Sequence, residues 1–202
     1  MADWQEHRFD RRFGSDTTSL RSLPVVDAPV ATVADGQTYE ATTGGAFKLI
    51  VRQAVRDAAR WTFMDIGSGK GKVLLLAAES GFRHMIGVEH SESLAATAQE
   101  NIDRYGERRP HAPTIEGRHG DATTTPLPDG PLFVFLYNPF GAETMGAFGR
   151  HLATRGQQPL IVAYANPLQE AALLDPFSSL RRTRIVESLL MKPCHLYSNG
   201  VR

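Results

Sequence analysis

The chain has 202 residues, enough for one ordinary domain, and its 42% hydrophobic and 22% charged residues are a globular composition. Twenty-two basic and 22 acidic residues cancel, which argues against a long footprint on duplex nucleic acid, where phosphate neutralisation calls for a basic excess. A single cysteine, Cys194, excludes an internal disulfide and a multi-cysteine metal site, and no metal is expected.

Residues 1–36 have no clear period. Arg8, Arg11 and Arg12 alternate with Asp3, Glu6 and Asp10 among the aromatics Trp4, Phe9 and Phe13, so this segment reads as an N-terminal arm, either a loose tail or a lid over a site. It has no apolar core of a secretory signal. Residues 37–202 read as one domain. Phe47, Ile50, Val51, Ala54, Val55 and Ala58 share one face of a helix. A short buried strand over 61–66 follows and ends in the loop DIGSGKGK at 65–72, and a helix from about Gly71 stops at Gly81. Residues 85–89 make a second strand, and Ser91 is the N-cap of a helix with Leu94, Ala98, Ile102 and Tyr105 on its inner stripe.

Between 107 and 131 stand five prolines, leaving room for one strand at 114–118. Residues 132–137 are apolar throughout, as a strand covered on both faces should be. Met145, Phe148 and Leu152 mark another helix, 160–164 another covered strand, and 182–190 with 195–198 a closing hairpin. No apolar run exceeds six residues, against about 20 for a membrane-spanning helix, so a soluble, cytoplasmic chain with no membrane partner is expected. Strands alternating with helices predict a doubly wound, mostly parallel seven-stranded sheet with a C-terminal antiparallel hairpin.

Gly67, Gly69 and Gly71 follow a strand and open a helix, where unpaired N–H groups and positive potential gather. Neither Gly69-Lys70 nor Gly71-Lys72 has the upstream glycine and following Ser or Thr of a phosphate loop. The GxGxG spacing also departs from the GxGxxG of dinucleotide sites, and Asp65 on the approach would repel a pyrophosphate. S-adenosylmethionine fits better. Asp65 suits its ammonium, and Glu89, 24 residues on, ends the next strand with a carboxylate for two ribose hydroxyls. Asp121, in the string Gly120-Asp121-Ala122 after the third strand, suits the adenine amino group.

Asp65-Ile66-Gly67-Ser68-Gly69-Lys70-Gly71 together with Glu89 resembles the motif pair of class I, seven-stranded, S-adenosylmethionine-dependent methyltransferases. Within that class, Tyr39-Glu40-Ala41-Thr42 resembles the cofactor-covering loop of the non-SET histone-lysine methyltransferases, the disruptor-of-telomeric-silencing family. Gly120-Asp121-Ala122 resembles that family's Gly-Asp-Phe at the adenine, and Tyr137-Asn138-Pro139-Phe140-Gly141 its Asn-Asn-Phe at the methyl-transfer channel. The resemblance implies a cofactor site of Tyr39, Glu40, Thr42, Asp65, Gly67, Ser68, Gly69, Gly71, Glu89, His90, Asp121, Ala122 and Asn138.

Asn138-Pro139-Phe140 also resembles the Asn-Pro-Pro-Tyr type motif of amino-group methyltransferases, and these three residues are the expected catalytic set. An Asn oxygen and the carbonyl beside a proline accept N–H bonds and so aim an amine at the sulfonium methyl, while Phe140 walls the site and favours the cation. The expected activity is methyl transfer to a nitrogen of a small molecule or a protein side chain. O-methylation of a metabolite would instead need a base such as His90, His119 or Glu143, and a cofactor-binding module without transfer is the non-enzyme alternative. Lys70 and Lys72 read as a solvated helix start, Asn166-Pro167 as a turn, and Cys194 as a small buried residue. Eighteen arginines against four lysines suggest a GC-rich bacterial source, and the acceptor and the oligomeric state stay open.

Overall fold

The computed structural model describes residues 9–17, 42–109, 111–189 and 191–201. Five parallel strands form its centre: β1 (Thr62–Ile66), β2 (His84–Glu89), β3 (Thr114–His119), β4 (Leu132–Tyr137) and β5 (Leu160–Ala165). Two more, β6 (Arg181–Ser188) and β7 (Met191–Ser198), pair antiparallel with each other, and β7 pairs antiparallel with β5. The order across the sheet is β3-β2-β1-β4-β5-β7-β6. The strands begin at β1, third in that order, step outward to β3, then return to build the other half from β4. That reversal falls between β1 and β4, and in open sheets of this kind ligands bind at the carboxyl ends of the strands beside such a switch.

Helices cover both faces, which is why the central strands read as unbroken apolar runs. Alternation along β4 sends Leu132, Val134 and Leu136 to one face and Phe133 and Phe135 to the other. The first face packs on Met145, Phe148 and Leu152 of α4 (Ala142–Ala153) and Leu173 of α5 (Glu170–Leu174). The second packs on Phe47, Ile50 and Val51 of α1 (Gly44–Ala54), Leu74 and Ala77 of α2 (Lys72–Ala78) and Ile102 of α3 (Glu92–Glu107). Thr43 caps α1, its hydroxyl accepting the Ala46 N–H, and Ser91 caps α3 by accepting from Leu94.

Several boundaries differ from the sequence reading. α1 ends at Ala54, because Val55 turns extended and the Asp57 carboxylate takes the Ala59 N–H to start a separate 3-10 turn over Ala58–Arg60. Ala58 therefore leaves the helical face on which its spacing placed it. β7 begins four residues earlier than expected, with Pro193 just past Cys194, the last partner of β5 in that pairing. Helix α5 is a single turn, too short to show a period in sequence. Cys194 is fully buried, and burial pushes its thiol up to about 12.

Of the N-terminal arm, residues 9–17 are described and packed on the body. Phe13 is 2% exposed and sits between Leu75 of α2 and Tyr105 of α3. Among the described residues no helix is long and apolar enough to cross a membrane.

Candidate active site

The loop after β1 is folded by three left-handed glycines, with φ of 73° at Gly67, 53° at Gly69 and 79° at Gly71. A Cβ on Gly67 would stand 3.0 Å from the Cβ of Pro139, so a side chain there would press on the Asn138-Pro139-Phe140 turn. The loop is tied to β2. The Gly67 and Ser68 N–H groups both donate to the Val88 carbonyl, at 2.9 and 3.1 Å. Glu89 accepts the Gly69 N–H at Oε2 (2.8 Å) and the Ser91 N–H at Oε1 (3.0 Å). Each of its oxygens keeps a further lone pair, so the carboxylate can hold the loop and still receive hydroxyls.

Two residues that the sequence reading passed over make this close approach possible. Gly87, in mid-strand on β2, leaves the space that Leu74 and the Ser68 side chain fill. A glycine inside a strand pattern is the sequence signal for such an approach. Asn101, wholly buried on α3, donates from Nδ2 to the Lys70 carbonyl at 2.9 Å and accepts the Asp16 N–H at Oδ1, 2.8 Å. The expectation for Lys70 and Lys72 is corrected here. Both are buried, Lys72 to 3% exposure, and the Lys70 Nζ lies 3.9 Å from the Asp16 carboxylate, because α3 and the N-terminal segment close over the helix start.

Asp65, the last but one residue of β1, is 2% exposed, and its Oδ2 has no hydrogen-bond partner among the described residues. Burial, reinforced by the negative charge of Glu89, raises its pKa to about 8. An orphaned carboxylate oxygen of this kind at the root of a glycine loop is shaped to receive a cation or an N–H donor. At the third strand end, Asp121 accepts the Thr123 N–H and hydroxyl at Oδ1, both 2.8 Å, and these bonds hold its carboxyl below the usual range. Its other oxygen makes no hydrogen bond among the described residues, and Ala122 beside it is buried.

Asn138 follows β4 with φ of 41°, a left-handed conformation that is rare outside glycine and that asparagine tolerates better than most residues. It is buried, and its Oδ1 accepts the Tyr164 hydroxyl at 2.8 Å. Tyr164, on the adjacent strand β5, is a third residue missed in sequence. Pro139 lies against Gly67, and the Phe140 ring meets Phe148 of α4 edge-on with centroids 6.1 Å apart. Asn166, one strand over at the end of β5, shares the left-handed backbone with φ of 50° and starts the expected turn.

None of the candidate bases is hydrogen-bonded to this turn among the described residues. The His119 Nε2 bonds the His90 carbonyl at 3.0 Å, and both rings, like Glu143 in the first turn of α4, are exposed. Thr42 is buried next to the α1 cap, whereas Tyr39 and Glu40 lie outside the described residues. The expected cofactor loop, its two acidic partners and the Asn-Pro-Phe turn therefore gather along the carboxyl ends of β1, β2, β3 and β4.

Residues 64–137, the segment from β1 through β4, match a family model described as a methyltransferase domain. That segment, 74 of the 202 residues, is similar to a methyltransferase domain. No curated protein matches the sequence. Among solved structures, a mitomycin 7-O-methyltransferase is 18% identical at a TM-score of 0.56, covering 77% of this chain and 53% of its own. The chain thus spans about half the length of that relative. An Aquifex aeolicus S-adenosylmethionine-dependent methyltransferase is 17% identical at 0.57, covering 76% and 88% respectively. The magnesium protoporphyrin IX methyltransferase of Synechocystis PCC 6803, solved with S-adenosylmethionine bound, is 18% identical at 0.56, covering 96% and 89%. These likenesses establish the fold, a class I methyltransferase sheet. S-adenosylmethionine is the cofactor of the last two of these proteins, and the residues here fit it. The unpartnered Oδ2 of Asp65 answers a cationic group, and Glu89 retains lone pairs for hydroxyls.

Proposed function

We propose that this chain transfers a methyl group from S-adenosylmethionine to a nitrogen, the amine of a protein side chain or of a small molecule, held at Asn138-Pro139-Phe140. The observation that carries the reading is the contact of Pro139 with Gly67, because it sets the acceptor turn directly on the cofactor loop. Transfer is an in-line displacement, so it requires the nucleophile and the methyl carbon to be held at near-attack distance with water excluded. A bound S-adenosylmethionine would supply an activated methyl on a sulfonium. The protein's part is to hold the cofactor at Asp65, Gly67, Gly69, Glu89 and Asp121, and to fix the acceptor at a rigid, buried asparagine.

Nitrogen is favoured over oxygen by the absence of positioning at the bases. His90, His119 and Glu143 are exposed, and none of them is hydrogen-bonded toward Asn138 among the described residues. A neutral amine can attack without a base, whereas a hydroxyl needs one. The motifs resembling the non-SET lysine methyltransferases support the same side, with residues 37–202 as the catalytic domain and 1–36 as its arm. A bacterial cytoplasm is the proposed setting.

The test is transfer of label from methyl-labelled S-adenosylmethionine into fractions of a native host extract, with Gly69→Arg as the control. Arginine cannot readily adopt the left-handed backbone at this position, φ 53°, and would put a long cation beside the loop, so cofactor binding and labelling should both disappear. Unchanged cofactor affinity in that variant would remove the loop from the site. Label confined to small molecules and lost below about pH 6 would move the acceptor to oxygen and a histidine base.

A further inference from the structure

Resting on the reading of Asn138 as the acceptor-holding residue, we infer that Tyr164 is a positioning residue, whose hydroxyl fixes the Asn138 carboxamide in one orientation. Tyr164 is wholly buried on β5, and its ring belongs to the core on the α4 side of the sheet. The hydroxyl lies within 2.8 Å of the Asn138 Oδ1 and accepts the Gln169 N–H at 3.1 Å. A buried phenol that accepts from a backbone N–H must place its own hydrogen on another acceptor. Here that acceptor is Oδ1. Burial raises the Tyr164 pKa to about 12, with the Glu170 charge adding to it, so the hydroxyl remains a donor throughout the working range.

The orientation has a chemical consequence. An unheld carboxamide can flip and present either its oxygen or its nitrogen, but Tyr164 removes that choice. One lone pair of Oδ1 is taken, while Nδ2 makes no hydrogen bond among the described residues and is not among their buried, unpartnered atoms. The acceptor therefore meets a carboxamide of fixed polarity, with one Oδ1 lone pair and the Nδ2 hydrogens on offer. The left-handed backbone at Asn138, φ 41°, sets the direction from which this carboxamide leaves the chain, and the Tyr164 hydroxyl on β5 holds its far end.

Tyr164→Phe is the direct test, because it keeps the ring in the core and deletes only the hydroxyl. The labelling rate from methyl-labelled S-adenosylmethionine into host extract should fall about tenfold, the usual size for one lost buried hydrogen bond. Affinity for S-adenosylmethionine alone should stay within about twofold, since the hydroxyl acts on the acceptor side. In the Asn138→Ala background the same change should cost nothing further, because the two residues act as one unit. Losses that multiply, or an unaltered rate in Tyr164→Phe, would overturn the assignment. A readout that needs no acceptor is the side-chain amide pair of Asn138 in the nitrogen–proton NMR spectrum. Its two resonances should move markedly in Tyr164→Phe, and unmoved resonances would refute the bond. If no extract fraction is labelled by the unaltered protein, the transfer reading fails while this spectrum still decides the bond.

Discussion

Burial sets the protonation of Asp65, and with it the way the site meets a cation. With a folded pKa of about 8 against an ordinary value of 3.8, the unliganded protein holds a proton that the unfolded chain has released across that window. The folded state binds more protons there, so stability falls as pH rises from about 4 to about 8 and is level above it. A cationic group placed against the free Oδ2 favours the ionised form and must expel the proton. Calorimetric titration of S-adenosylmethionine near neutral pH, repeated in buffers of different ionisation enthalpy, should show release of about one proton. Asp65→Asn should abolish that release, flatten the stability profile between those pH values and weaken binding. A release that persists in Asp65→Asn would place the titrating group elsewhere. The positions of Asp65 and Glu89 at two successive strand ends, the first just before the glycine loop, were legible in sequence. Tyr164 and Asn101 were not, since their roles arise only when strand register and helix packing bring them to Asn138 and Lys70.

At the level of elements, the strands were legible wherever both faces are covered, as along β4, whose bounds match the apolar run 132–137. Ends set by local side-chain bonds were less so, such as the break after Ala54, where Asp57 captures the next turn. Gly87 shows how an element is shaped by its neighbour. A methyl there would lie 2.6 Å from Leu74 Cδ1 and 2.9 Å from Ser68 Oγ, and Leu74 is fully buried with no room to give. Its register partner on β3, Gly117, faces only the flexible tip of Gln99 at 3.3 Å and Ile102 at 3.6 Å. Gly87→Ala should therefore destabilise by about 1–3 kcal/mol, as overpacking does, and weaken cofactor binding by displacing Ser68. Gly117→Ala should leave both nearly unchanged. Equal effects on melting temperature and on S-adenosylmethionine affinity would show that the loop does not depend on the space at Gly87. The outer strand β6 follows a different logic. Arg181, Arg182 and Arg184 and two register shifts blunt its open edge against pairing with other chains.

Across the whole molecule the topology followed from the alternation of strand and helix, but the docking of the N-terminal segment did not, because residues 9–17 carry no period of their own. Their attachment is tertiary. Phe13 enters the gap between Leu75 and Tyr105, Arg108 donates to the Arg11 and Arg12 carbonyls, and Asn101 grips Asp16. Asn101 grips the glycine loop as well, through the Lys70 carbonyl, so one buried amide joins the arm to the loop. Asn101→Ala would leave the Lys70 carbonyl and the Asp16 N–H without that partner, at about 1–3 kcal/mol for each group that stays buried. Linkage then makes the coupling reciprocal, because a ligand that orders the loop also favours the docked arm. Trypsin cleavage after Arg11 and Arg12 reads the docking directly, since a bound segment must detach to enter the protease. S-adenosylmethionine is expected to slow that cleavage several-fold in the unaltered protein and to have little effect in Asn101→Ala, whose arm should already be cut faster. Equal protection by the cofactor in both proteins would mean that arm and loop are stabilised independently, with Asn101 serving each without joining them.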